Sequence, residues 1–398
     1  MKRIIKNKLF SLVTVILTVC LLLAACNQSD SKTDSNQTEQ EKESQVVEES
    51  ATAEVSNNND EKNEEDDYEF GPQDDKKITV GQVGTGIKPA MIVLANELNY
   101  FAEEGIEMEF VQIQNLNDGI TAVSQEKLDV LPMGIIPSVT YIANGADLVI
   151  YGGTISEGSE AACLPENQEK FSDINNLGDT KITCMRPETG HMFIQDYLKQ
   201  NGIENVEWLE LDNFQSGIEA VKKGNADLAI VNSGFGYNAE QQGLVIPFRV
   251  ADYFPRNVCC RQTTNRTVFE EKRESLIRLQ IANIRAYAFA YGDDQANKEE
   301  VISLLKGYSG LEPDYIDFSI YSQVMKYELD PATDKVRDFY ELMLRNEQIA
   351  PDEDVDIENQ MDYLVYQEAL ERLVARYPDQ ALYQELLDNI GRDNRIAN

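Results

Sequence analysis

The hydrophobic and polar positions of Ile78–Ile113 predict a strand, a helix and a second strand. Ile78–Val83 is a short apolar run that ends in glycine, as a strand that enters a turn does. In Lys88–Glu104 apolar residues recur at helical spacing, and Gly105 follows where a helix C-cap is expected. Ile106–Ile113 begins by alternating apolar and acidic side chains, which is typical of a strand. A strand–helix–strand unit of this length begins a parallel sheet with a right-handed crossover.

The loop after the first predicted strand, Gly84–Pro89, lies where a parallel sheet binds its ligands, beyond the carboxyl end of a strand. Glycines allow backbone N–H groups to approach a ligand, and the helix N-terminus behind them favours negative charge. The loop lacks the third glycine of a dinucleotide-binding fingerprint, and Pro89 stands near that place. A ligand-binding loop and a plain tight turn both fit this segment, and the segment alone does not distinguish between them.

A pattern of short helix, turn and buried strand occurs twice. Ile120–Val123 precedes Asp129, and Ile218–Val221 precedes Asp227 at the same distance. In both places an apolar run follows the aspartate at once, as a buried strand requires. The repetition predicts two copies of one structural unit.

The second copy also contains the equivalent of the opening unit. Lys181–Cys184 is predicted to be a strand, and Met192–Asn201 is predicted to be the helix that follows it. We therefore expect two similar lobes, from about residue 78 to 155 and from about residue 180 to 250. One sheet with similar-looking units is the alternative. Two facing lobes would hold a ligand in the cleft between them and close on it by a hinge motion.

The last third of the chain is predicted to be helical, because its apolar residues recur at helical spacing. Four helices would close the first lobe from its far side, and two more would form an extension. The predicted helices are Thr267–Tyr291, Glu299–Lys306, Tyr321–Tyr327 and Val336–Arg345, followed by Ile357–Tyr377 and Gln380–Ile390. The extension can pack on the first lobe, contact another protein or contact another copy, and the pattern does not choose between these.

Residues 1–25 have the pattern of a lipoprotein signal peptide. A basic start leads into the apolar core Leu9–Ala25, and Leu23–Cys26 resembles the bacterial lipoprotein cleavage box. This resemblance implies that Cys26 carries a thioether-linked diacylglycerol, which would hold the chain at a membrane. An ordinary signal peptide with a chance cysteine is the alternative. Residues 26–77 are polar and acidic, and they are predicted to form a disordered tether.

Charge and residue types exclude several functions. The net charge of −35 and the pI near 4.3 argue against nucleic-acid binding. The chain has one histidine, His191, without cysteines or acidic residues at metal spacing, so no metal and no cofactor are expected. It shows no Ser-His-Asp order, carboxylate pair or phosphate loop beyond chance, which favours a binding protein over an enzyme.

Several strings resemble those of solute-binding lipoproteins of ABC importers, in the family that binds nitrate, sulfonate, taurine, bicarbonate or thiamine precursors. The strings are Gly84–Ala90, Asn99–Gly105, Ala122–Asp129, Gly152–Thr154 and Ala220–Asp227, and the resemblance covers nearly all of residues 78–345. The chain departs from the family pattern at Asn99, where members usually carry glycine. It departs again in the first repeat, which has Glu126 or Lys127 where the second repeat has Gly224.

The resemblance implies an α/β fold that is two-lobed and periplasmic-binding-protein-like (type 2), with C-terminal helices. The implied organisation is lobe 1 at 78–165 and 261–350, lobe 2 at 166–260 and a C-terminal helical extension at 351–398. The protein would be a monomer, anchored by lipid at the extracytoplasmic face of the cell membrane. It would capture a sulfonate-like or nitrate-like anion, or a thiamine-precursor pyrimidine, and deliver it to an ABC permease. A ligand sensor for a membrane signalling partner and an exported pyrimidine-synthase-like enzyme are the alternatives.

In proteins of this family, strand-end loops touch the ligand, which implies a set of ligand-binding residues. They are Thr85, Gly86, Lys88, Gly134, Ile135, Thr189, Gly190 and His191, joined through their strand-end positions by Asn213, Asn232 and Phe235. Lys88, Arg186 and His191 could bind an anion. Solvated surface positions explain Lys88 and Arg186 as well, and a capping or packing role explains His191 as well. Phe235 and Tyr237 could stack on a planar ligand or pack against the edge of the lobe.

The neighbouring Cys259 and Cys260 are predicted to be reduced, buried thiols in a strand that returns to the first lobe. Cys163 and Cys184 could instead pair with each other, since disulfides form outside the cytoplasm. A fungal relative of this fold makes the thiamine pyrimidine and has a cysteine cluster, which motivates the enzyme alternative. Two cysteines beside Arg261 match that cluster only weakly.

Overall fold

The computed structural model of the protein describes residues 69–71, 74–84, 86–351 and 355–395. The predicted signal peptide, Cys26, most of the predicted tether and Thr85 lie outside the described residues. Across the part that is described, no helix combines the length and the apolar character that a membrane span requires.

Strands and helices alternate through most of the described chain. The strands are β1 (Lys77–Gln82), β2 (Glu107–Gln112), β3 (Leu131–Gly134), β4 (Leu148–Glu157), β5 (Glu160–Cys163), β6 (Lys181–Cys184), β7 (Glu207–Glu210), β8 (Leu228–Val231), β9 (Val245–Arg249), β10 (Cys260–Asn265) and β11 (Lys326–Tyr327). The α-helices are α1 (Ala90–Glu97), α2 (Tyr100–Glu103), α3 (Leu116–Ser124), α4 (Ile135–Ala143), α5 (Gln168–Phe171), α6 (Thr189–Gln200), α7 (Phe214–Lys222), α8 (Phe235–Gln241), α9 (Val250–Tyr253), α10 (Arg266–Glu271), α11 (Arg273–Tyr291), α12 (Lys298–Ser309), α13 (Pro313–Tyr321), α14 (Thr333–Arg345), α15 (Leu364–Arg376) and α16 (Ala381–Asn389).

The strands form two separate sheets of the same plan. In the first sheet β1 and β2 pair in parallel, Val80 of β1 bridges to Val130 just before β3, and the order continues β3-β10-β4-β11. In the second sheet the order is β7-β6-β8-β5-β9. In each sheet one strand, β10 or β5, runs antiparallel between two neighbours. The prediction of two similar lobes is confirmed, and one continuous sheet is excluded.

The antiparallel strand of each sheet comes from the other lobe by a chain crossing. The first crossing is Gly158 and Ser159, between β4 and β5, so it precedes the predicted lobe boundary at residue 165. The second crossing is residues 254–259, between α9 and β10. Asn232 lies between the two crossings, because its amide nitrogen is 2.9 Å from Ser159 Oγ and 3.9 Å from Cys259 Sγ.

The aspartate of each sequence repeat accepts a hydrogen bond from the backbone of a neighbouring strand. Asp129 Oδ2 accepts a hydrogen bond of 2.8 Å from the backbone N–H of Thr79, and Asp227 Oδ2 accepts one of 2.8 Å from the backbone N–H of Lys181. Each bond ties the end of the repeat to a strand of its own sheet, β1 for Asp129 and β6 for Asp227. The repeated aspartate therefore has a structural role in both lobes.

The first repeat departs from the family pattern at a turn whose backbone is the same in both repeats. Glu126 adopts φ 57° in the first repeat, and Gly224 adopts φ 71° three residues before the second aspartate. Glycine takes this left-handed conformation without a steric penalty, whereas glutamate does so at about 1 kcal/mol. The same turn therefore forms in both lobes, and Glu126 carries a small backbone strain in the first lobe.

The C-terminal extension packs on the first lobe. Leu370 of α15 is fully buried in the same core as Leu94 of α1 and Leu279 of α11. At the edge of this contact, Arg372 donates two hydrogen bonds of 2.8 Å to the carboxylate of Glu274. Of the roles that the sequence left open, packing on the first lobe is the one that the structure shows.

Three helix predictions are wrong in part. Ile357–Tyr377 is not one helix, because Ile357–Gln360 is a separate 3₁₀-helix and α15 begins at Leu364. Lys88–Glu104 is not one helix, because Asn99 adopts φ 61° and separates α1 from α2. Tyr321–Tyr327 is not helical, because α13 ends at Tyr321 and Lys326–Tyr327 forms β11 on the edge of β4. Pairing with an available sheet edge overrides the helical spacing of a short apolar segment.

Candidate functional site

A cavity of about 960 Å³ lies between the two lobes. The first lobe contributes the loop before α1, the start of α3, the end of β3 and the start of α13, and the second lobe contributes residues after β6 and β8. The lining residues are Val83, Gly86, Ile87, Lys88, Leu116, Met133, Gly134, Met185, Ser233, Phe235, Tyr237, Asn238, Leu311, Glu312, Pro313, Asp314 and Tyr315. Most residues of the cavity wall are apolar or aromatic. Lys88 contributes a positive charge to the wall, and Glu312 and Asp314 are exposed acidic residues.

The start of α13 reaches from the first lobe to the second across the cavity. The Tyr315 hydroxyl donates a hydrogen bond to the backbone carbonyl of Ser233, and the Tyr237 ring lies 5.3 Å from the Phe318 ring. Gly234 makes this approach possible, because it has φ 82° and a Cβ there would lie 2.8 Å from Ser319 Oγ. The two lobes therefore touch at the rim of the cavity.

Lys88 is half-buried at the first-lobe side of the cavity. Burial lowers the pKa of Lys88, but the nearby Cys260 and Cys259 sulfurs and the Glu188 carboxylate outweigh that effect and raise the pKa above its ordinary value. Lys88 is therefore protonated at neutral pH and can pair with an anionic group of a ligand.

Cys259 and Cys260 are both buried and reduced, as predicted. Their sulfur atoms are 3.5 Å apart. A hydrogen bond from Cys260, with help from the positive charge of Lys88, lowers the pKa of Cys259 although burial opposes this, whereas the pKa of Cys260 is raised. Cys163 and Cys184 are also free, so the alternative of a bridge between them is not realised.

A buried carboxylate, Glu188, joins the second lobe to the first crossing. It accepts hydrogen bonds from Ser159 Oγ at 2.5 Å, the Asn232 side chain at 2.8 Å, and the backbone N–H groups of Gly190 at 2.9 Å and His191 at 2.8 Å. Burial raises the pKa of Glu188, but interactions with His191, Ser159 and Asn232 outweigh burial and lower the pKa to about 2. A fully paired carboxylate of this kind holds the helix start and the crossing together.

Residues 87–296, more than half of the chain, match the family described as NMT1/THI5 like. The chain belongs to this family. A comparison of the sequence with curated proteins found no match.

Solved structures share the fold of this NMT1/THI5-like chain. The periplasmic aliphatic sulphonate binding protein SsuA from Escherichia coli is 16% identical, with a TM-score of 0.59 over 72% of this chain and 92% of that chain. The periplasmic nitrate-binding protein NrtA from Synechocystis PCC 6803 is 14% identical, with a TM-score of 0.60 over 79% and 98% of the two chains. The ligand-binding component of an ABC-type import system from Staphylococcus aureus is 14% identical, with a TM-score of 0.60 over 74% and 99%. These likenesses confirm the predicted two-lobed fold of periplasmic binding proteins.

The cavity brings together four of the residues predicted to bind the ligand. Gly86, Lys88 and Gly134 line it from the first lobe, and Phe235 lines it from the second. Phe235 also packs on Phe214 at 5.3 Å between ring centroids, so both of its predicted roles are compatible with the structure.

Five further predicted residues lie behind the cavity wall. They are Ile135, Thr189, Gly190, His191 and Asn232, all of which are buried. The His191 ring packs edge-on against Trp208 at 6.0 Å, and its Nδ1 is 3.8 Å from Glu188. Gly190 is required by its close approach to Ser159, because a Cβ would lie 2.4 Å from the Ser159 Cβ.

Two predicted positions lie away from the cavity lining. Asn213 is exposed and caps α7, where its side chain accepts a hydrogen bond of 2.8 Å from the backbone N–H of Ser216. Arg186 is half exposed and pairs with Glu210 at 3.1 Å, as the alternative of a solvated surface charge predicts.

Sequence reasoning missed the part of the cavity wall that α13 supplies. Residues 311–315 line the cavity, although they fall between the predicted helices Glu299–Lys306 and Tyr321–Tyr327. Leu116, Met133 and Met185 were also missed, although they lie near the ends of β2, β3 and β6. Among the described residues, no group of three or more His, Cys, Asp or Glu side chains could hold a metal ion.

Glu160 is a buried acid beneath the loop that contributes Phe235 to the cavity. It lies 4.0 Å from Arg249, and a Cβ on Gly236 would come within 1.9 Å of its Oε2. Burial raises the pKa of Glu160 to about 7, and the positive charge of Arg249 opposes the rise only in part. The folded protein therefore binds this proton more tightly than the unfolded chain does.

Glu160→Gln is expected to stabilise the protein at alkaline pH. Because the pKa of Glu160 is about 7 in the folded state and near 4.5 in an ordinary glutamate, stability falls as pH rises from about 4.5 to 7. The neutral amide removes that loss, so the free energy of unfolding at pH 8 should rise by about 1–3 kcal/mol. Urea denaturation at pH 8 and pH 4 measures the free energy of unfolding of both proteins. Glu166→Gln is the control, because Glu166 is exposed. An equal free energy of unfolding in wild type and variant at pH 8 would refute this expectation.

Proposed function

We propose that this protein is an extracytoplasmic solute-binding protein of an ABC importer, which captures a small solute between its lobes and hands it to a permease. Membership of the NMT1/THI5-like family and the two-lobed fold support this function. The observation that carries the proposal is the cavity of about 960 Å³, whose wall comes from both lobes. A solute that touches both walls would favour the closed arrangement over an open one.

The shape and chemistry of the cavity favour an organic solute over a bare inorganic anion. Its volume lies in the range of sites for drug-sized ligands, and its wall is largely apolar and aromatic. Phe235 and Tyr237 offer faces for a planar ring, and Lys88 offers a charge-assisted bond for an acidic group. An aromatic or alkyl sulfonate, or a pyrimidine that carries an acidic group, would use all three residues, whereas nitrate alone would leave most of the volume empty.

The proposed place of the protein is the outer face of the cell membrane. The cleavage-box resemblance at Cys26 supports a lipid anchor, and the polar segment 26–77 would hold the lobes away from the membrane surface. The acidic composition of the whole chain is compatible with a solute-binding role and argues against a nucleic-acid partner.

A thermal-shift screen tests the proposed function. A truncated chain that begins near Asp74 is expected to be a soluble monomer, and the screen would include pyrimidines, sulfonates, nitrate, bicarbonate and amino-acid derivatives. A solute at about 100 times its Kd adds about 2.7 kcal/mol of stability, which raises the melting temperature clearly. We expect the largest rise from an organic anion or an aromatic heterocycle. A rise with nitrate or bicarbonate alone, or with no member of the set, would contradict the proposal.

A further inference from the structure

Cys259 and Cys260 form a vicinal dithiol one layer behind the cavity wall. Their sulfur atoms lie 3.5 Å apart, and the exposed fractions of the two residues are 6% and 1%. Cys260 is paired with Gly134, which lines the cavity, and the backbone carbonyl of Cys259 accepts a hydrogen bond of 2.9 Å from the N–H of Ile135. Cys259 also ends the second crossing, and Cys260 begins β10.

The dithiol differs chemically from the other two described cysteines. Burial raises the pKa of Cys163 and of Cys184 to about 11, so each stays a neutral thiol. Cys259 instead has the S–H group of Cys260 and the positive charge of Lys88 nearby, and both favour its thiolate. The thiolate is the form that attacks disulfides, so Cys259 is the nucleophile among these four residues.

We propose that Cys259 and Cys260 are a reversible dithiol–disulfide pair that low-molecular-weight disulfides oxidise. The Cys259 thiolate attacks one sulfur of R–S–S–R, which forms a mixed disulfide and releases RS⁻. Cys260 gives its proton to RS⁻ and attacks the Cys259 sulfur, which releases a second RS⁻ that takes a proton from water. Two protein thiols are oxidised, and one small disulfide is reduced to two thiols.

The geometry explains why such a bond would be easily reversed. Consecutive Cα atoms are about 3.8 Å apart, which is below the usual range of about 4.4–6.8 Å for a disulfide. A strained disulfide is readily reduced and belongs to the labile, regulatory kind. The pairing of β10 with β4 is already irregular between Cys260 and Arg261, so the backbone departs from a regular strand at this point.

The thiol chemistry is tested on the full chain in detergent with 4,4′-dithiodipyridine, a small neutral disulfide. We expect wild type to release two thiopyridones per chain more than the Cys259→Ala/Cys260→Ala double variant does. Peptide mapping should show the two cysteines joined to each other without a retained adduct. Cys260→Ala should keep one adduct on Cys259, and Cys163→Ala should behave as wild type. A stable adduct on Cys259 in wild type, or equal release by the double variant, would overturn the proposal.

Discussion

Glu188→Gln is expected to lower the free energy of unfolding at neutral pH by about 3 kcal/mol. Four donors point at this carboxylate, from Ser159, Asn232 and the backbone of Gly190 and His191. An amide can accept at one oxygen only, and its NH₂ group would face donors instead of acceptors. The buried donors left without a partner account for most of the loss.

The pH dependence gives this prediction a second readout. The folded-state pKa of Glu188 is lowered to about 2, so its stabilisation is present above about pH 4.5 and is lost as pH falls toward 2. The difference between wild type and variant in urea denaturation should therefore shrink from pH 7 to pH 4. Glu210→Gln is the matched control, because Glu210 is exposed and pairs with Arg186, and it should change stability by less than about 0.5 kcal/mol. Equal losses in the two variants would contradict the role assigned to Glu188.

Lys88→Met is expected to weaken the binding of an anionic solute by about 10- to 100-fold, the equivalent of one charge-assisted hydrogen bond. Methionine keeps much of the apolar stem, so the cavity wall is preserved while the positive charge is removed. Isothermal titration calorimetry with the best anionic solute from the screen measures the effect. Lys223→Met is the control, because Lys223 is exposed in the second lobe and pairs with Glu219. An unchanged affinity of Lys88→Met would refute the assignment of Lys88 to the site, although the fold would stand.

Much of the fold could be predicted because it depends on local periodicity. Alternating strands and helices of the two repeats are encoded in short segments such as Ile120–Asp129 and Ile218–Asp227, and the repeated aspartate marks the same turn twice. The return of β10 to the first lobe was expected from the family resemblance, but the passage of β5 into the second sheet was not predicted, and neither follows from local periodicity. Each of these strands is specified by its pairing with distant partners, and the apolar pattern of a single strand does not name its neighbours.

The site was predictable where it lies at strand ends. Gly86, Lys88, Gly134 and Phe235 follow strands and line the cavity, as the topology of parallel sheets requires. Glu188 was passed over because its sequence context shows a helix start, whereas its role arises from tertiary contacts with Ser159 and Asn232. The wall formed by residues 311–315 depends on where α13 docks, which no local pattern encodes.

The claim that one solute is held between both lobes is tested most directly by a crystal structure of the protein with the solute that raises its melting temperature most. We expect the solute inside the cavity, with an acidic group at Lys88 of the first lobe and an apolar or ring part against Phe235 or Tyr237 of the second. A solute bound outside the cavity, or one that contacts a single lobe, would contradict the claim.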